Sequence, residues 1–315
     1  MLIPNLILFL IACLVLVTSG TQLVKALTKL ATYLRVSEFI IGFMIMAFAT
    51  SIPELFVGIN AALAKNTSLA LGMIVGSNIA NLTIIMGIAV LLKGGISIKS
   101  KKTKVDSLYM FVITILPFAL MWIGNSISRI DGIILICAFF VYARKLYKER
   151  KVFTKELKNH QKRLAPILNT ILFIASLVLL FLSSKYVIHY AELLSLDLTL
   201  PPIIMGLFLI ALGTSLPELV AGGRAVMMGH SEMALGNIIG SVIVNSTLVL
   251  GVTALIFPIT AELLLFFTSG VFMLLVAFLF ATFVESGNRL YIKEGIALIF
   301  LYVFFIIIEF YVKGI

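Results

Sequence analysis

The sequence predicts an all-α polytopic membrane protein with ten transmembrane helices in two inverted five-helix repeats. Three observations carry that reading. The 315-residue chain is 61% hydrophobic and only 12% charged, a composition far from that of soluble domains. Its apolar residues gather into ten runs of the length a bilayer requires. One passage also occurs twice: Gly42 to Gly58 reads GFMIMAFATSIPELFVG, and Gly206 to Gly222 reads GLFLIALGTSLPELVAG. Glu54 and Glu218, Ser77 and Ser241, Asn81 and Asn245, and Gly87 and Gly251 all stand 164 positions apart, so no gap interrupts the register.

The first predicted span, 6–25, contains Leu10-Ile11-Ala12-Cys13, which formally matches a lipoprotein cleavage box. Processing there is not expected, because no basic residue precedes the apolar run and the run continues to Val17. Cys13 and Cys137 lie in apolar runs without metal-ligand spacing and read as lipid-facing or packing residues. Spans at 39–62 and 69–92 hold the first repeat, about 40–90, and spans at 106–124 and 131–147 complete an N-terminal half, 1–147. A basic linker, 148–165, is the one long polar stretch. The C-terminal half, 166–315, follows with spans at 166–186, 201–223, 233–256, 263–283 and 294–312, and with the second repeat at about 204–254.

An odd number of spans per half makes the second copy enter the membrane from the opposite side. All Lys and Arg except Lys65, Arg129, Lys185 and Lys313 then fall on one side, which the positive-inside rule makes cytoplasmic, with both termini outside. The net charge of +10 is thus a topology signal with weak attraction for anionic headgroups, and no nucleic-acid partner is expected. Inverted halves suit a secondary transporter, which reaches inward-open and outward-open states from one fold.

Within each repeat an acid sits where an acid is least welcome. Read as a helix, Ala47, Thr50, Ser51 and Glu54 share one face, and Ala211, Thr214, Ser215 and Glu218 repeat it. Pro53 cannot bond the Ala49 carbonyl, nor Pro217 that of Gly213, so each helix should kink or break and free carbonyls around Ala47 to Thr50 and Ala211 to Thr214 for a cation. Ser77 with Asn81, and Ser241 with Asn245, add oxygen from the following spans, where Gly72, Gly76, Gly236 and Gly240 permit close helix approach. Carboxylate, hydroxyl, amide and carbonyl oxygen without imidazole or thiolate suit calcium or sodium better than a transition metal. One divalent ion balances two glutamates, and several monovalent ions do the same, so competition is the simplest coupling.

Other polar residues read as structural. Asp131, Glu262, Glu285 and Glu294 sit near span ends, His189 and His230 are interfacial, and Glu309 is expected to snorkel toward the outer surface. No cofactor is expected. An intramembrane protease would need paired aspartates or a serine with histidine, which the repeats lack, so no enzyme is expected.

GTSLPEL followed by GN-x-x-GS-x-x-x-N resembles the α-repeats of the sodium/calcium exchanger family within the cation/calcium antiporters, and SGTQLVKALTKLATYLRVSEFIIG is similar to that family's first-span segment. The resemblance implies ten spans, one calcium and up to three sodium sites, and first and sixth spans that slide against the other eight. It makes Glu54 and Glu218 calcium ligands, assisted by the carbonyls of Thr50 and Thr214. Sodium ligands would be the carbonyls of Ala47 and Ala211 with Ser51, Ser77, Ser215 and Ser241. Met73 stands opposite Asn237 and Ala49 opposite Gly213, and Asn245 occupies a position often acidic in relatives. Two formal charges at the centre favour electrogenic sodium/calcium exchange by a monomer without potassium. The alternatives are a calcium/proton exchanger that protonates Glu54 and Glu218, and a passive cation channel.

Overall fold

A computed structural model of the protein describes residues 2–33, 46–98, 100–149, 165–260 and 263–312. Ten helical legs follow one another there: α1 Leu2–Tyr33, α2 Ala47–Thr50 with Ile52–Leu63, α3 Thr67–Lys93, α4 Lys101–Gly124 and α5 Arg129–Glu149, then α6 Ala165–Asp197, α7 Pro202–Met227, α8 Ser231–Ile256, α9 Leu263–Ser286 and α10 Ile292–Val312. Eight are long and apolar enough to cross a membrane. The count of ten spans does not follow from length and apolarity alone. The start of the second expected span lies outside the described residues, leaving the 12-residue helix Ile52–Leu63, and the apolar run of α5 is hemmed between Asp131 and Arg144. Most of the expected linker, together with Glu262, also lies outside the described residues.

The connections sort into two ends. At one, β1 Ile96–Ser97 pairs antiparallel with β2 Arg289–Leu290, Lys93 Nζ donates to the Val226 carbonyl at 3.0 Å, and the Thr103 hydroxyl bonds Glu232. At the other, Ile127 and Ile259 exchange backbone hydrogen bonds, Asn66 Nδ2 donates to Glu192 at 3.0 Å, and Asn5 Nδ2 donates to Asp197 at 2.7 Å. Among the described residues, the third, seventh and ninth connections therefore share one end and the second, fourth, sixth and eighth the other, as inverted halves require. The end with β1 and β2 is rich in Lys and Arg.

Burial ranks the legs. In both α3 and α8, 83% of the most apolar stretch is inside the protein, against 22% in α1 and 28% in α6. The centre is therefore built by α2, α3, α7 and α8, while α1 and α6 lie outside and pack chiefly on each other. Both outer helices run past their predicted spans, 6–25 and 166–186, because hydropathy marks only the lipid-facing run whereas helical hydrogen bonding continues beyond it. Close approach at the centre depends on glycine. A Cβ on Gly72 or Gly76 would strike the carbonyl oxygens of Ile203 and Leu207 on α7, and one on Gly206 would strike the Leu69 carbonyl on α3.

Two peripheral acids differ from expectation. Glu309 does not snorkel: it is 1% exposed, and the Ser269 hydroxyl donates to it at 2.9 Å. Packing against α9 supplies a partner that the sequence around Glu309 does not reveal. Asp131 is half-buried and accepts from the Ser128 amide at 2.8 Å, tying down the start of α5.

Gly76→Val should destabilise the protein by about 1–3 kcal/mol through overpacking. Gly222→Ala, whose added methyl group meets nothing within 4 Å, should not. Denaturant unfolding of both variants in detergent checks this; equal stability would refute the close α3–α7 contact.

Candidate functional site

The site begins with two helix breaks. Ser51 (φ −84°, ψ 0°) and Ser215 (φ −83°, ψ 0°) leave helical geometry at the same point of each repeat. Pro53 and Pro217 then occupy the first turn of the next helix, where a missing amide hydrogen costs nothing. The expected kink or break falls at Ser51 and Ser215, two residues before each proline, and separates Ala47–Thr50 from Ile52–Leu63 and Ala211–Thr214 from Leu216–Met227, although the Ser51 and Ser215 amides still donate to the Ala47 and Ala211 carbonyls at 3.2 and 3.1 Å. Glu54 and Glu218 consequently fall in the first turn of a new helix, at the positive end of its dipole. The short preceding helices end at the same place with their carbonyl, negative ends. Broken helices of this kind offer both charge signs to an ion without adding a side chain.

The facing legs are disturbed in matching places. α3 carries a π-helical segment at Asn81–Ile85, and α8 carries one at Asn245–Val249. Each begins on the asparagine expected to face the site. Such bulges redirect side chains and are frequent at functional positions.

Every expected site residue is buried: Ala47, Thr50, Ser51, Glu54, Ser77, Asn81, Ala211, Thr214, Ser215, Glu218, Ser241 and Asn245. The halves interlock across their repeats. The Ser77 hydroxyl donates to Glu54 Oε1 at 2.9 Å and lies 2.6 Å from the Ser215 hydroxyl. The Thr50 hydroxyl lies 3.1 Å from that of Ser241, which also reaches the Ala47 carbonyl at 3.4 Å. Thr50 and Thr214 further donate back to the carbonyls of Ala47 and Ala211, at 3.3 and 3.2 Å. Glu54 and Glu218 are near enough to repel each other. Their separation by 164 residues is closed by the inversion.

The polar atoms outnumber their partners. Glu54 Oε2, both oxygens of Glu218, the Ser51 hydroxyl and the whole side-chain amides of Asn81 and Asn245 make no hydrogen bond. Thr50 and Ser241 are polar neighbours of Glu218, but neither donates to it in good geometry. Orphaned oxygens at zero exposure are costly unless something else satisfies them. Among the described residues no Lys, Arg or His is buried, and no three His, Cys, Asp or Glu side chains gather as a metal cluster. The donor set is therefore oxygen alone, with two negative charges and an excess of lone pairs. It fits a hard cation and offers nothing to a soft one.

One buried asparagine that touches the site escaped the sequence reading: Asn237 Oδ1 accepts from Thr50 at 3.3 Å. A second asymmetric polar pair lies on the other side of α3 and α8, where Asn78 Nδ2 donates to the Ser246 hydroxyl at 2.9 Å beside Met273 of α9. Their equivalents in the other copy are Met73, Val242 and Leu82. A search for identical pairs discards a polar residue present in only one repeat, so the missed residues are the asymmetric ones. Intramembrane polarity alone was the signal that could have found them.

Comparison with known proteins places this geometry. The family profile described as sodium/calcium exchanger protein matches residues 4–147 and 168–311. The sodium/calcium exchanger MaX1 of Methanosarcina acetivorans is 29% identical across 99% of this chain and 100% of its own length. The inner membrane protein YrbG of Escherichia coli K12 is 30% identical across 87% of this chain and 86% of its own. A solved structure of the sodium-calcium exchanger NCX_Mj, soaked with sodium and strontium, superposes with a TM-score of 0.70 at 25% identity and covers 98% of this chain and 99% of that one.

If the orphaned oxygens form a cation site, calcium at about a hundred times its Kd should stabilise the purified protein by about 2.7 kcal/mol. Glu218→Gln should remove that stabilisation, as measured by thermal unfolding with and without calcium. Persistence of the full shift in the variant would place the ion elsewhere.

Proposed function

We propose, from the premise that the chain belongs to the sodium/calcium exchanger protein family, that its centre carries sodium one way and calcium the other by alternating access. The observation that carries this reading is the pair Glu54 and Glu218, one from each half, both fully buried, with three of four carboxylate oxygens unbonded. Two such charges need cations, because no basic side chain among the described residues neutralises them.

One calcium ion balances the two carboxylates, assisted by oxygen from Thr50 and Thr214. Sodium ions would use the same carboxylates together with Ser51, Ser77, Ser215 and Ser241, the carbonyls of Ala47 and Ala211, and the flanking amides of Asn81 and Asn245. Shared ligands prevent both ions from binding at once, and that exclusion is the coupling. Three sodium ions against two carboxylates leave a charge of +1 where one calcium leaves none, so exchange moves net charge across the membrane.

The halves 1–147 and 166–315 act as the inverted units, joined by the basic linker. The end bearing Lys93, Lys101, Arg224 and Arg289 faces the cytoplasm, with both termini outside. α1 and α6, which pack mainly on each other, serve as the sliding gate over the central four legs. A single chain holds all the ligands, so the monomer is the working unit.

The test is radiolabelled calcium uptake into proteoliposomes. An imposed sodium gradient should drive uptake and a proton gradient should not; uptake driven by protons alone would overturn the reading. Glu54→Gln and Glu218→Gln should each lower the rate by about 100-fold or more, since leaving a buried charge uncompensated costs about 3–5 kcal/mol. Asn245→Asp adds a third charge and should change the dependence of flux on membrane potential. An unchanged potential dependence would refute the charge count.

A further inference from the structure

The breaks at Ser51 and Ser215 carry the same local bonds, and one residue from a facing helix makes them differ. The Ala47 carbonyl accepts from the Ser51 amide at 3.2 Å, and the Ala211 carbonyl from the Ser215 amide at 3.1 Å. Each bond takes one of the two lone pairs that a carbonyl oxygen offers. A threonine hydroxyl competes for the second: Thr50 stands 3.3 Å from the Ala47 carbonyl, and Thr214 stands 3.2 Å from that of Ala211. A carbonyl that accepts from both an amide and a hydroxyl has no lone pair left for a cation.

A threonine has one hydroxyl proton, so the acceptors around it decide which oxygen receives it. Thr50 has a second acceptor in Asn237 Oδ1, also at 3.3 Å. The Ser241 hydroxyl is 3.1 Å from that of Thr50 and 3.4 Å from the Ala47 carbonyl. A relay is thereby complete in which Ser241 donates to Thr50 and Thr50 to Asn237, and the Ala47 carbonyl keeps its second lone pair. In the other copy the position equivalent to Asn237 is Met73, whose thioether is a weak acceptor. Ser77, the equivalent of Ser241, bonds Glu54 and Ser215 instead. Among the described residues, Thr214 is left with the Ala211 carbonyl as its hydrogen-bonded acceptor. Each threonine also neighbours the carboxylate of the opposite repeat, Glu218 for Thr50 and Glu54 for Thr214, so that feature does not separate the two sides.

Packing alone does not call for an amide at this place. Asn237 is fully buried, its Nδ2 makes no hydrogen bond, and Met73, equally buried, shows that an apolar side chain fits the equivalent position. A polar group kept inside a membrane protein without full satisfaction points to function. We infer that Asn237 is a positioning residue for sodium: it takes the Thr50 hydroxyl proton and so keeps the Ala47 carbonyl open to the ion. The inference rests on that part of the reading above in which sodium uses the carbonyls of Ala47 and Ala211. It makes the two sides unequal, with the Ala211 side weaker because Thr214 must first give up its acceptor there.

Thermal unfolding of the purified full-length protein in detergent, at rising sodium and separately at rising calcium, tests this through binding alone. Wild type should be stabilised by both ions. Asn237→Met, which installs the residue of the other repeat, should raise the half-saturating sodium about 5- to 10-fold, the worth of one neutral hydrogen bond, and leave that of calcium within about twofold. In a Thr50→Val background the same change should have no further effect on sodium, because the proton that Asn237 accepts is gone. Asn237→Leu takes the place of the methionine variant if that one fails to fold. Unchanged sodium dependence in the folded variant, sodium and calcium weakened alike, a further loss in the Thr50→Val background, or no sodium stabilisation of wild type would each overturn the inference. Because the readout is binding, absence of sodium-driven calcium uptake in proteoliposomes would sink the exchange reading and leave this inference standing.

Discussion

Two carboxylates buried in the middle of a membrane protein, with no basic group among the described residues to meet them, are the constraint on which the rest of the structure depends. Glu54 and Glu218 are fully inside, and desolvating an uncompensated carboxylate costs several kcal/mol even after relaxation. The fold reduces that cost without cancelling the charge. Each acid is placed in the first turn of a helix, and Ser77 donates to one of them. What remains, three bare carboxylate oxygens and two unbonded amides, is the part left for a cation to complete.

The backbone irregularities follow from this need. A continuous helix through residues 47–63 would place Glu54 in mid-helix, where its dipole offers a carboxylate little. Breaking at Ser51 and Ser215 creates two new N-termini and, just before them, two carbonyl ends. Such irregular backbone is tolerable only where protein surrounds it, which accounts for the burial of α3 and α8 and for the glycines that draw α3 and α7 together. The π-helical segments at Asn81 and Asn245 belong to the same set of departures.

Pseudo-symmetry is strict in these central features and lax elsewhere. Glutamates, prolines, helix breaks and the π segments that begin at Asn81 and Asn245 coincide in register, while the polar neighbours do not: Asn237 touches Thr50, but its equivalent is Met73. The outer helices diverge further: Phe56 and Asn60 of α2 meet Phe181 and Ser184 of α6, while the equivalent positions in the other half are Val220, Arg224, Val17 and Gly20. Two halves that must exchange roles during transport need the same core; they need not have the same surroundings.

The sequence by itself determined the membrane class, the inverted arrangement and the twelve polar and backbone candidates, because hydropathy, charge asymmetry and a gapless internal repeat are all properties of residue order. Only the tertiary structure decided where the helices break, that Glu309 is buried against Ser269, and that Asn237 reaches Thr50 in the buried polar centre. The last two depend on which atoms face one another across 40 and 187 positions of chain. Hydrogen-bond satisfaction and packing are properties of such encounters, and a linear pattern does not record them.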